Sequence, residues 1–134
     1  MTDVRFERRG RLGLITLDRP AALNALTHAM AREIEARLDA WAGDPAVAVV
    51  AITGAGERAF CAGGDIRALW EAGRPGGDRG RANWSFYADE YRLNAKIHRF
   101  PKPYVAVMHG IVMGGGVRLS IHGSHRIATE RTVF

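Results

Sequence analysis

Two residue types are nearly missing from this 134-residue chain: cysteine, present once as Cys61, and lysine, present as Lys96 and Lys102 among 19 basic residues. A single cysteine excludes an intrachain disulfide. A chain of this length buries roughly two-thirds of the surface that its unfolded state exposes, so a core needs neither disulfides nor a metal. Long apolar runs are missing as well. The run from Val47 to Ile52 falls far short of the ~20 residues of a membrane span, and the opening Met1-Thr-Asp-Val-Arg-Phe-Glu carries no apolar signal core. These absences set the expectations of a reducing cytoplasm and no membrane partner. There is also no Walker A sequence and no Gly-x-Ser-x-Gly nucleophile elbow.

What is present is a 47% apolar, 25% charged chain with 16 Gly and a formal net charge of +5. The basic excess favours an anionic partner without naming one. A nucleic-acid surface would gather its arginines on one face or interleave them with aromatics. Here they are scattered apart from Arg8, Arg9 and Arg11, so no nucleic-acid partner is expected.

Alternation at Val4, Phe6 and Arg8 and at Leu12, Leu14 and Thr16, around Arg9-Gly10-Arg11, predicts a β-hairpin. Met30, Ile34, Leu38 and Trp41 lie at helical spacing between Thr27 and Ala42, with Thr27 as N-cap and Asp44-Pro45 as stop. Val47 to Thr53 is a β-branched run of the kind buried on both faces of a parallel sheet. A short helix over about 66–72 is expected after the cap Asp65, then a loop over 73–80. A long helix follows over about 83–99. It carries Trp84, Tyr87, Tyr91 and Ala95 on one stripe and Phe86, Leu93 and Ile97 on another, which predicts cover on two sides. Tyr104 to Met108 reads as a second buried strand, followed by glycines, a helix to about His122 and a last exposed strand near 126–129. One unit thus occurs twice: buried strand, glycine-rich turn, helix.

Gly54-Ala-Gly56-Glu-Arg-Ala59 fits a dinucleotide fingerprint but fails on context, because Gly63-Gly64 interrupts the helix that the fingerprint needs. The ribose-binding acid would also fall in the loop near Asp78. Gly63-Gly64-Asp65 and Gly114-Gly115-Gly116 are better candidates for chemistry. Glycine permits close backbone approach, and the start of a helix offers unpaired N–H groups. Two such turns aimed at one atom make an oxyanion hole, although composition alone favours plain turn glycines. Cys61 reads as a small buried filler rather than a nucleophile, and Asp65 as a cap rather than a base. His122-x-x-His125 lacks a third ligand, so no metal is expected.

Three segments carry a family resemblance in matching order and spacing: Arg19-Pro20 through Leu26, Ala59-Phe-Cys-Ala-Gly-Gly-Asp-Ile66, and Pro103 through Gly116. Together they resemble the crotonase (enoyl-CoA hydratase/isomerase) superfamily. Within it, Cys61 to Arg67, Glu90-Tyr-Arg-Leu-Asn94, Gly110 to Gly114 and His122 to Arg131 most resemble the 3-hydroxyisobutyryl-CoA hydrolase branch. The resemblance implies an α/β, crotonase-like spiral of strand-strand-helix units. It implies hydrolysis of a branched 3-hydroxyacyl-CoA thioester in valine degradation, with coenzyme A as part of the substrate and no separate cofactor. It assigns the oxyanion hole to the N–H groups of Gly64 and Gly115, and substrate contact to Glu90 and Gly115. The CoA adenine and pantetheine would lie on backbone around Leu23, Asn24, Ala25, Ala59 and Ala62. Without the resemblance, Glu90 reads as a solvated helix carboxylate.

Two departures from the pattern stand out. At position 118 hydratases carry a catalytic Glu and the hydrolase branch usually a small residue, whereas this chain has Arg118. Arginine cannot serve as a general base, which argues against hydration. It would crowd the acyl pocket unless it pairs with the substrate or with a carboxylate. The second departure concerns length. In the hydrolases a catalytic Glu and a partnering Asp follow the equivalent of Thr132-Val133-Phe134, so residues 1–134 are expected to form a partial crotonase-like domain without that segment. Three readings follow: a CoA thioester hydrolase, an enoyl-CoA hydratase or isomerase, and an inactive CoA-binding remnant. Full-length relatives of this fold form trimers or dimers of trimers.

Overall fold

The computed structural model of the protein describes residues 2–77 and 80–134. The hairpin forms as expected, with β1 (Val4–Arg9) antiparallel to β2 (Leu12–Leu17) and Val4 opposite Leu17. Gly10 supplies the left-handed backbone of its turn at φ +60°. Both β3 (Val49–Gly54) and β5 (Tyr104–Met108) then add in parallel, followed by β7 (His125–Ala128), giving the order β1-β2-β3-β5-β7. The β-branched run therefore sits at the centre of the sheet. Its strand begins two residues later than the sequence suggests, because Val47 is buried in the approach loop, where its N–H bonds Asp44 O. All four residues of β7 are exposed.

Helix α1 (His28–Ala42) lays Met30, Ile34, Leu38 and Trp41 on the core, and the Thr27 hydroxyl caps it by accepting Met30 N–H at 3.1 Å. Such a cap contributes about 1 kcal/mol. A feature without periodic signature in the sequence is a second, two-stranded sheet, β4 (Ala59–Cys61) paired in parallel with β6 (Ile111–Val112). Strands of two or three residues are too short to show alternation. A strand, strand, helix unit therefore recurs along the chain, as β3-β4-α2 (Ile66–Ala72) and again as β5-β6-α4 (Gly115–Ile121).

The long helix α3 (Arg81–His98) corrects one expectation: it is covered on one side. Trp84 is 75% exposed, and Tyr87, Tyr91 and Ala95 also face outward, while Phe86, Asp89, Glu90, Leu93, Asn94 and Ile97 are buried. The Phe86, Leu93 and Ile97 stripe is buried as expected, and the rest of that face is polar, three of its six buried residues being Asp89, Glu90 and Asn94. Asp89 is held across the α1–α3 seam by His28 and Arg32, with Arg92 on its own helix. Glu35 accepts from Arg92 at 3.0 Å and from Lys96 at 3.1 Å along the same seam. The outward aromatics instead contact one another, with the Tyr87 and Tyr91 rings stacked at 6.3 Å. Part of the loop expected over 73–80 lies outside the described residues.

Candidate functional site

The pairing of β4 with β6 sets their two following turns side by side. Met113 N–H donates to Cys61 O at 3.1 Å, and Leu26 N–H ties down Gly63 O at 2.7 Å. Gly63 (φ +119°) and Gly114 (φ +51°, ψ −117°) adopt backbone open only to glycine. The turns also touch through main chain. A Cβ on Gly115 would lie 3.5 Å from Gly64 N, and one on Gly63 would lie 3.7 Å from Gly115 N. At Gly116 the fit is closer still, since a Cβ would stand 2.1 Å from Cys61 O. Gly64 immediately precedes the α2 cap Asp65, and Gly115 is the first residue of α4. The N–H of a first helical residue has no partner within its helix. The two amides expected to act together are thus neighbours in space, although 51 residues apart in sequence.

Glu90 stands against this pair. Its Oε1 lies 2.7 Å from where a Gly115 Cβ would be, and the residue is 1% exposed. This corrects the solvated reading that the sequence gives without the family resemblance: the helix face assumed to meet water is the face packed on α4. Neither carboxylate oxygen has a hydrogen-bond partner. The nearest cation is Arg118, whose Nη2 is 3.4 Å from Oε1. Burial pushes the Glu90 pKa up, and the Arg118 guanidinium pulls it back. Of the two roles left open for Arg118, pairing with a carboxylate is the one seen. Asn94, one turn on from Glu90, is also buried with its amide unpartnered. Sequence reasoning gave Asn94 no role of its own, although it closes the Glu90-Tyr-Arg-Leu-Asn94 segment of the family resemblance.

The segments assigned to CoA are well ordered by internal bonds. Asn24 is fully buried at φ +54°; its Oδ1 accepts Arg19 N–H, and its Nδ2 donates to Ala55 O and Ala59 O, each at 2.9 Å. The N–H groups of Leu23, Asn24, Ala25 and Ala62 are all engaged, on Pro20 O, Arg19 O, Ala22 O and Leu23 O. Those four amides, like the carbonyls of Leu23, Ala25 and Ala59, are engaged within the protein.

Asp65 caps α2, accepting Ala68 N–H at 3.1 Å, and pairs with Arg19 at 3.1 Å. The Ala68 amide, then Arg19, lower its pKa against the opposing effect of burial. Cys61 is buried, and its pKa is pushed up to about 11, chiefly by burial and further by the nearby Glu90 charge. A thiol so placed is a filler, not a nucleophile. No group of three or more His, Cys, Asp or Glu among the described residues could hold a metal. No helix among them is long and apolar enough to cross a membrane.

Comparison with known proteins gives a consistent answer. Residues 12–134 match the family described as enoyl-CoA hydratase/isomerase. The chain is 53% identical over 133 residues to the mitochondrial 3-hydroxyisobutyryl-CoA hydrolase of Danio rerio, covering 99% of this chain and 34% of that protein. It is 48% identical to the protein of the same name from Homo sapiens, covering 98% and 33%. It therefore spans about a third of the length of the curated relatives it matches. Among solved structures, an enoyl-CoA hydratase from Rhodobacter sphaeroides 2.4.1 superposes with a TM-score of 0.92 at 51% identity, over 98% of this chain and 38% of that one. A carnitinyl-CoA dehydratase from Mycobacterium thermoresistibile gives 0.90 at 50%, over 97% and 37%. The relatives are named mitochondrial, so they lend no support to the cytoplasmic expectation.

Proposed function

The chain belongs to the enoyl-CoA hydratase/isomerase family, and we propose that it serves hydrolysis of a 3-hydroxyacyl-CoA thioester of the 3-hydroxyisobutyryl type. The observation that carries this reading is the buried Glu90, with neither oxygen hydrogen-bonded, set beside the adjoining amides of Gly64 and Gly115. The thioester carbonyl oxygen would accept from the Gly64 and Gly115 N–H groups. As water adds to the carbonyl carbon, negative charge collects on that oxygen, and donors already in place stabilise it without reorganising. Collapse of the adduct breaks the C–S bond, giving the free acid and CoA thiol. Glu90 would accept a hydrogen bond from the acyl hydroxyl, satisfying a group that is otherwise costly to bury. Coenzyme A enters as part of the substrate, lying along Leu23, Asn24, Ala25, Ala59 and Ala62, and no other cofactor is invoked. The curated relatives at 48% and 53% identity are named as this hydrolase, while solved structures of similar identity are named as a hydratase and a dehydratase, so Arg118 weighs in the choice against hydration. It cannot act as a base at the position where hydratases carry their glutamate.

That the chain spans about a third of its relatives' length favours a second reading. In it, residues 1–134 form part of a crotonase-like domain that holds the CoA ester, while turnover draws on groups beyond them. One assay separates the two: thiol release from 3-hydroxyisobutyryl-CoA, measured beside binding of the same ester, for the parent chain and for Gly115→Ala. Release that falls on the order of 10²-fold in the variant supports the hydrolase. Binding without release supports the holding role. Absence of both refutes an acyl-CoA site, and water addition to an enoyl-CoA would move the assignment to the hydratases.

A further inference from the structure

We propose that Arg118 is a positioning residue of this site: its guanidinium, lodged between Oε1 of Glu90 and the Tyr91 ring, keeps the buried carboxylate charged and aimed at the Gly64/Gly115 pair. The functional meaning rests on the acyl-thioester reading above, while the clamp itself is a property of the fold. Glu90 is 1% exposed, and a carboxylate cannot stay ionised in such a place without a counter-charge. Arg118 approaches from the facing helix, with Nη2 at 3.4 Å from Oε1, Nη1 at 3.5 Å from the Tyr91 hydroxyl and Cζ at 5.2 Å from the Tyr91 ring centroid. It lies three residues, about one turn, beyond Gly115, so α4 delivers the Gly115 amide and the cation as one rigid unit.

The pair also answers an electrostatic problem. A bare carboxylate beside the two amides would oppose the negative charge that develops on a bound carbonyl oxygen, whereas a carboxylate-guanidinium pair is neutral overall. Two carboxylate oxygens and the buried Arg118 Nε remain without hydrogen-bond partners. A ligand hydroxyl can use both kinds, donating to Glu90 and accepting from Arg118; a ligand carboxylate would be repelled by Glu90, and a methyl would satisfy neither. The other titratable groups near Glu90 do not replace Arg118. Cys61 on β4 is a neutral thiol, Tyr91 lends its ring and hydroxyl to Arg118, and neighbouring Asp89 is committed to His28, Arg32 and Arg92.

The test is a carbon-13 NMR titration of the Glu90 carboxyl in the full chain, assigned with Glu90→Gln, for the parent, Arg118→Gln and Arg118→Lys. The expected result is an inflection raised by about one pH unit or more in Arg118→Gln, a tenfold change in the protonation equilibrium, and largely restored in Arg118→Lys. An unmoved inflection in folded Arg118→Gln overturns the proposal. Should that variant not fold, the Arg118 Nε resonance of the parent decides: it must follow the Glu90 inflection and lose it in Glu90→Gln, and independence of the two overturns the clamp. Binding of 3-hydroxybutyryl-CoA is measured in parallel. A coupled titration with no ester binding leaves the clamp standing and refutes the acyl-CoA reading. Ester binding with an uncoupled titration does the reverse.

Discussion

Asn24 offers the most direct trial of how the site is held. Three hydrogen bonds engage its side chain: one accepted from Arg19 N–H within its own turn, and two donated to the carbonyls of Ala55 and Ala59 in a distant segment. Asn24→Ala orphans one donor and two acceptors. Each buried group left unpaired costs about 1–3 kcal/mol, and an Ala at φ +54° adds about 1 kcal/mol of backbone strain. Ala55 is half-buried, so water relieves part of the loss there. The expected destabilisation is about 4 kcal/mol, a large share of a typical total of about 5–15 kcal/mol. In urea titrations followed by circular dichroism, this moves the midpoint down by about 2 M for a slope near 2 kcal/mol per M. Asn24→Asp sharpens the trial, because it preserves shape and the Arg19 contact but turns a carboxylate toward two carbonyl oxygens. It should destabilise at least as much at pH 7 and recover partly near pH 4, where protonation restores one donor. A change within about 1 kcal/mol for Asn24→Ala, or an Asp tolerated as well as Asn, would refute the view that this side chain ties the two segments together.

Further outcomes follow from the same geometry. Gly116→Ala should not accumulate as folded protein, because its Cβ would press on Cys61 O at 2.1 Å, whereas Gly64→Ala meets only the edge of Phe86 at 3.4 Å and should fold; far-ultraviolet circular dichroism separates them. Cys61 should resist an aromatic disulfide reagent at pH 8 in the native chain and react on unfolding, since burial holds its pKa at about 11; rapid labelling of folded protein would contradict this. Asp89 is held well below the usual carboxylate range by His28 first, then Arg32, with burial opposing and Arg92 assisting. A depressed folded pKa gives stability that is present above the unfolded value and lost as pH falls toward the folded one. Asp89→Asn should therefore be less stable than the parent at pH 7, with the difference shrinking below about pH 4 in acid-unfolding curves. Glu90 has the opposite sign, since a raised folded pKa makes its ionisation oppose folding. Glu90→Gln should thus gain stability relative to the parent as pH rises from about 4 through the folded pKa, as read by thermal melts across pH.

The sequence by itself determined the elements whose residues signal locally. The hairpin, α1 with its Thr27 cap, the parallel strands β3 and β5 and the Asp65 cap were all legible, because alternation, helical spacing and capping chemistry depend on neighbours within a few residues. The family resemblance likewise rested on contiguous segments, and it singled out Gly64, Gly115 and Glu90. What only the tertiary structure decided depends on residues distant in the chain. The pairing of β4 with β6 is set by two very short strands 50 residues apart, and it alone makes neighbours of the two glycine turns. The buried face of α3 is partly polar, so hydrophobic spacing found Phe86, Leu93 and Ile97 but also counted an outer stripe that is exposed; burial of Asp89 and Glu90 is tolerable only because α1 and α4 bring His28, Arg32 and Arg118 to them. Asn24 belonged to the predicted CoA cradle, yet its side chain proves to be the tie between that turn and the segment over 55–59. The single cysteine excluded an intrachain disulfide at the outset. Arg118 acquired its carboxylate partner only when a helix from elsewhere in the chain set Glu90 beside it.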